Sequence, residues 1–135
     1  VKTSTYNSTL HATTLLPAAV TATAQGTTVD RAASLANFRS AALVVHVGTV
    51  TDGTHVFTLQ ESDNDSDWTT VAAANLQGSA ISVTSANDER VFELGYTGSA
   101  RYLRGVVTVS GSPATGGVYG AVIALSGSRR TPVAR

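Results

Sequence analysis

Cysteine is absent from these 135 residues, which rules out disulfide frameworks and thiolate metal sites and leaves folding independent of the redox compartment. Charge is also scarce. Charged residues make up 13% of the chain, against about 25% in ordinary globular proteins, and nine basic residues balance nine acidic ones. A chain with no net charge lacks the field that draws proteins onto nucleic acid, so no nucleic-acid partner is expected. Sparse charge also leaves the surface weakly protected against association, which suits a protein working inside an assembly. Long apolar runs are missing too. No stretch of about eighteen consecutive apolar residues occurs, and the opening "VKTSTYNSTLHATTLLPAAV" has no continuous apolar segment of the kind a secretory leader needs. Neither a membrane span nor a signal peptide is expected.

What is present is a sequence of short β-branched runs separated by Gly, Asp, Asn and Ser. That spacing is typical of all-β sandwiches and barrels, and a single antiparallel β-sandwich is expected. Strands are expected near residues 27–31, 40–49, 55–62, 68–72, 79–85, 90–95, 101–110 and 117–126. Either a turn of helix capped by Asp30 or a loop occupies Asp30 to Phe38, and no long helix is expected. Between the second and third runs, "TDG" at residues 51–53 reads as a three-residue hairpin loop with Gly53 in the left-handed position. The implied register pairs Val45 with Leu59 and Val47 with Phe57, turns His46 outward and His55 inward.

Three segments follow from this division: an extended arm over 1–26, the sandwich over 27–128, and a basic tail over 129–135. Leu10, Leu15, Leu16 and Val20 lack local pairing partners in this reading. The arm is therefore expected to be ordered by another chain, so that removing it leaves the domain folded. The last run, "GVYGAVIALSG", carries Tyr119, Ala121, Ile123 and Leu125 on one face and Val118, Val122 and Ala124 on the other. A strand apolar on both faces needs a cover on both. Val118 and Val122, with the arm and with Arg129 and Arg130 of the tail, are the candidate partner contacts.

The segment "FTLQESDNDSDWTTV" holds the remaining chemistry. Asp63, Asp65 and Asp67 match the first three ligand positions of a calcium loop, but the glycine and glutamate that complete one are replaced by Trp68 and Ala74. The better reading is a turn in which Asx side chains bond nearby backbone N–H groups. Trp68 with Glu61, Asp63 and Asp65 could instead bind a sugar, the ring stacking and the acids taking hydroxyls; against this, a lone tryptophan more often plugs the end of a sandwich. The histidines are too scattered for zinc, no nucleophile elbow occurs, and the carboxylate pairs look solvated. No enzyme activity, metal or cofactor is expected.

Two resemblances enter here. "LQESDNDSDWTTV" and "GSARYLRGVVTV" resemble strand signatures of discoidin-type, galactose-binding-like sandwiches, which implies a jelly-roll-like fold without transferring ligand residues. The order "TTVD", "SAALVVHVG", "FTLQESDNDSDWTTV", "ELGYTGSARYLRGVVTVSG", "YGAVIALSG" and a short basic tail is similar to small virion proteins of tailed bacteriophages. That resemblance implies a capsid decoration, or cement, protein on the capsid exterior. Its partners would be the major capsid protein and copies of itself, with a trimer on a local threefold axis as the implied arrangement. A carbohydrate-binding module and a head-tail connector or tail component are the alternatives.

Overall fold

A computed structural model describes residues 4–33 and 36–135. Two antiparallel sheets pack face to face. The first contains, in spatial order, β1 (Leu10–Val20), β11 (Gly117–Ser126), β4 (Ser40–Val50), β9 (Val91–Tyr96) and β7 (Leu76–Gln77). The second runs β2 (Ala24–Gln25), β10 (Tyr102–Ser110), β5 (Thr54–Ser62) and β6 (Thr69–Thr70); β3 (Val29–Asp30) pairs with β10, and β8 (Ile81–Val83) pairs with β5. Except from β2 to β3 and from β5 to β6, successive strands alternate between the sheets, the double Greek-key path of a jelly roll. One short helix, Thr5–Ser8, precedes β1. The helical turn expected over Asp30 to Phe38 includes residues 34 and 35, which lie outside the described residues. Asp30 does accept the N–H of Ala32 at 2.9 Å.

The period-2 alternation of the long strands decides which side chains enter the core. Leu43, Val45 and Val47 of β4, Phe57 and Leu59 of β5, Leu94 of β9, Leu103 and Val107 of β10, and Ile123 and Leu125 of β11 are all fully buried. Fully burying each such side chain is worth about 1.5–3 kcal/mol.

The expected hairpin between β4 and β5 is corrected. These strands lie in opposite sheets, β4 pairing with β11 and β9 while β5 pairs with β10. Val45 and Val47 therefore face Phe57 and Leu59 across the core rather than beside them. Both arrangements bury the same residues, so hydrophobic alternation alone could not separate a hairpin from an arch. Gly53 does take the left-handed conformation, with φ +82°, and His46 faces out while His55 is buried. His55 pairs with Val109 and Val83, and its ring bonds the Tyr119 hydroxyl at 2.8 Å and the Asp52 carbonyl at 3.1 Å.

The expected arm is also corrected. Leu10–Val20 is an eleven-residue strand that pairs along β11 from Leu10 opposite Leu125 to Val20 opposite Gly117, with register shifts on either side of Leu15. Leu15 is buried, and Leu10 and Val20 pack against the same core. Far from depending on another chain, these residues close this one. Thr14, 1% exposed, accepts the N–H of Gly105 at 2.8 Å and donates to the Thr27 carbonyl at 2.9 Å, so its hydroxyl ties the first sheet to the second. Gly26 sits so close that an added Cβ would lie 2.4 Å from the Thr14 carbonyl oxygen.

The tail also folds back on its own chain. Val133 is buried and donates its N–H to the Asn7 carbonyl at 3.0 Å, and the Arg135 guanidinium donates to the Thr9 carbonyl at 2.6 Å and lies over the Tyr6 ring.

At the opposite end of the sandwich, Asp52 in the β4–β5 turn caps the loop before β11. Its carboxylate accepts the N–H groups of Gly116, of Ala114 at 2.8 Å and of Thr115 at 3.2 Å. These bonds, that from Gly116 first, hold the carboxyl below the usual carboxylate range. The folded group thus gives up its proton at lower pH than the unfolded chain does. The stabilisation is complete above the unfolded value of about 4 and disappears as pH falls through the folded one. Asp52→Asn should flatten the acid limb of a plot of melting temperature against pH between about pH 2 and pH 6. An unchanged acid slope in the variant would assign that limb to other carboxylates.

Candidate partner interface

The first sheet turns outward a face whose centre, around β11, is uncharged, with the exposed Glu93 of β9 opposite Val44 at its border. On β11 the residues between the buried ones are Val118, 50% exposed, and the half-buried Val122 and Ala124. Val122 lies opposite Val44, and Gly120 lies opposite His46 on β4. Together with Thr13 and Pro17 of β1, Val44, His46, Val118 and Val122 line a shallow groove of about 360 Å³ that contains no Asp, Glu, Lys or Arg. Leu16, 74% exposed, is not part of this groove and lines a separate opening with Val20, Ala24 and Val107.

Of the residues singled out from the sequence, this face brings together Val118 and Val122. Leu10, Leu15 and Val20 belong mainly to the core, although Leu15 also floors the groove. Arg129 and Arg130 are exposed after the end of β11. β11 is not an edge strand: β1 and β4 flank it, and the edge belongs to β1, where Pro17 and two register shifts interrupt any further pairing. Pro17 and Val44 were missed as members of this face. Once β1 pairs with β11, alternation along β4 is enough to place Val44 there, but nothing local in the sequence announces that pairing.

The acidic turn behaves as a turn. The Asn64 side-chain oxygen accepts the N–H groups of Ser66 at 2.9 Å and Asp67 at 2.8 Å, and the Ser62 hydroxyl accepts that of Asn64 at 3.2 Å. Asp65 takes a left-handed conformation and bonds the Thr28 hydroxyl at 2.8 Å, while Asp67 accepts from the Asn64 amide at 2.8 Å. The carboxylates are thus drawn to different partners. Among the described residues no group of three or more His, Asp or Glu is placed to hold a metal ion.

The sugar constellation is only partly assembled. Glu61 and Asp63 line a polar cleft of about 360 Å³ with Asn64, Asp67 and Asn75, but Asp65 and Trp68 do not line it. Glu61 accepts the Tyr96 hydroxyl from the opposite sheet. Burial and that bond push the Tyr96 phenol up to about 12. Trp68 does not plug the sandwich either: it lies outside the core, half exposed, with the Arg104 guanidinium 4.2 Å from its ring centre. Arg104 is held there by Gln60 at 2.8 Å, so the cation covers one face a sugar would stack on.

No helix among the described residues is long and apolar enough to cross a membrane. No family model matches the chain, and no curated protein matches its sequence. Among solved structures it is similar to the crystal structure of PBSX exported protein XepA, with 18% sequence identity and a TM-score of 0.58 over 93% of this chain. The chain spans 39% of that protein's length, and at this identity the likeness is one of fold: a β-sandwich found as part of a larger protein.

Proposed function

We propose that the chain is a structural component of a phage particle that attaches through the outer face of its first sheet, serving as a decoration protein that bridges coat subunits on the capsid exterior. The observation that carries this reading is the uncharged groove lined by Val44, Val118 and Val122. Exposed apolar surface of this kind, with charge kept to its border, marks protein–protein contact. The structural neighbour is phage-derived, which supports the setting, and the resemblance to small virion proteins supports the role. Attachment of many copies compensates for a modest contact at each one.

Co-sedimentation with capsids that lack the protein tests this, followed by cryo-electron microscopy of the decorated particles. Stoichiometric binding at icosahedral positions is expected. Val122→Asp should weaken attachment by about tenfold or more, the loss expected when a contact residue becomes charged. Because Val122 points outward, its folding stability should change by less than about 1 kcal/mol. Density confined to the portal or tail would replace the decoration role with a connector or tail role. Undiminished attachment of the variant would remove this face from the interface.

A further inference from the structure

We propose that a second cleft, formed by Arg31, Arg39 and Arg129 with the loop Gly98–Arg101, binds a phosphate ester. The cleft encloses about 560 Å³, and four arginines and no carboxylate line it. In a chain with nine basic residues and no net charge, such a gathering separates charge against its Coulomb cost. Asp30 neutralises Arg101 through a two-pronged pair at 2.9 Å. The other three cations have no such partner, since that pair is the one ion pair among the described residues.

Arg31 is the unusual member. It is 8% exposed, and a buried charge without a counter-ion is costly. Its terminal nitrogens donate to the carbonyls of Ala100, at 2.7 Å, Gly98, Phe38 and Arg39, and its plane lies 5.3 Å from the Tyr96 ring centre. Its Nε is buried with no hydrogen-bond partner. Carbonyl dipoles soften the charge without cancelling it. Arg39 and Arg129 are exposed at the cleft and free to swing onto a ligand. Three uncompensated cations around one opening favour a dianion over a single carboxylate, and guanidinium groups fit phosphate oxygens in pairs. The acidic cleft lies across the shared Ser99 and Ala100, so the charge reverses sharply within one end of the molecule.

Calorimetric titration with inorganic phosphate and with glycerol 3-phosphate, at constant ionic strength set by chloride, tests this on the full chain. Saturable binding is expected. The Arg39→Gln/Arg129→Gln pair should weaken it by at least about tenfold, as loss of charge-assisted bonds does. Both side chains are exposed, so the variant keeps its fold, which circular dichroism checks. Flotation with phosphatidylglycerol vesicles separates the sources: capture that inorganic phosphate displaces assigns the site to a lipid headgroup, whereas binding of the soluble esters without capture assigns it to a free phosphate ester. No saturable heat, or equal binding by the variant, overturns the proposal. So does a variant that loses only concentration-dependent self-association in sedimentation, which would give the arginines to the acidic turn of a second copy.

Discussion

Removing residues 1–20 is expected to abolish cooperative folding. The truncation takes away all of β1, which pairs with β11 along eight register positions, and leaves β11 as an unprotected edge. It also removes buried Leu15 and the packing of Leu10 and Val20. The loss of Thr14 leaves the Gly105 N–H and the Thr27 carbonyl without their bonds to it, each worth about 1–3 kcal/mol when left unmet in the interior. Domains of this size are stable by only about 5–15 kcal/mol, so these losses together consume the margin. Circular dichroism and urea titration of the truncated chain should show no sigmoidal transition. A sharp transition near that of the full chain would mean that the opening strand is dispensable, as an arm would be.

The arm and the strand differ in a way the sequence could not express. Residues 40–126 reveal themselves because apolar and polar residues alternate in runs bounded by turn formers, and the expected strands match β4, β5, β9, β10 and β11 closely. β1 carries no such alternation. "LHATTLLPAAV" places two leucines side by side and a proline mid-strand, because register shifts at Leu15 interrupt the pleat. A bulged edge strand therefore reads like unstructured chain, since its partner lies about a hundred residues away. The same limit explains the β4–β5 connection: burial is identical in a hairpin and an arch, and only the topology distinguishes them.

The candidate surfaces were legible in part for related reasons. The two apolar faces of "GVYGAVIALSG" announced an outward patch, and Val118 and Val122 are on it. The arginine cleft was invisible beforehand. Arg31, Arg39, Gly98 and Arg129 are scattered over nearly a hundred positions and meet because β3 pairs with β10 while β4 pairs with β11. Arg31 has no carboxylate at helical or strand spacing that would have drawn attention to it.

Arg31→Met should destabilise the domain by about 3 kcal/mol, a loss in the range of broken buried polar networks. The guanidinium holds two segments together: its Nη1 bonds Gly98 and Ala100 in the loop before β10, and its Nη2 bonds Phe38 and Arg39 ahead of β4. The loop serves the second sheet and the residues before β4 the first, so this one side chain fastens the sheets at the end opposite Asp52. Methionine matches much of the volume and removes the buried charge, which offsets part of the cost. It cannot replace the donors, and the carbonyls of Ala100 and Phe38, in buried residues, lose theirs. Arg31→Lys should recover little, because an ammonium is a point charge that cannot reach carbonyls on both sides of a planar fork. Thermal denaturation should show a drop of roughly 10 °C for Arg31→Met, as expected for that loss in a domain of this size. A methionine variant as stable as the parent would show that the carbonyls find water readily and that Arg31 is retained for its charge in the cleft.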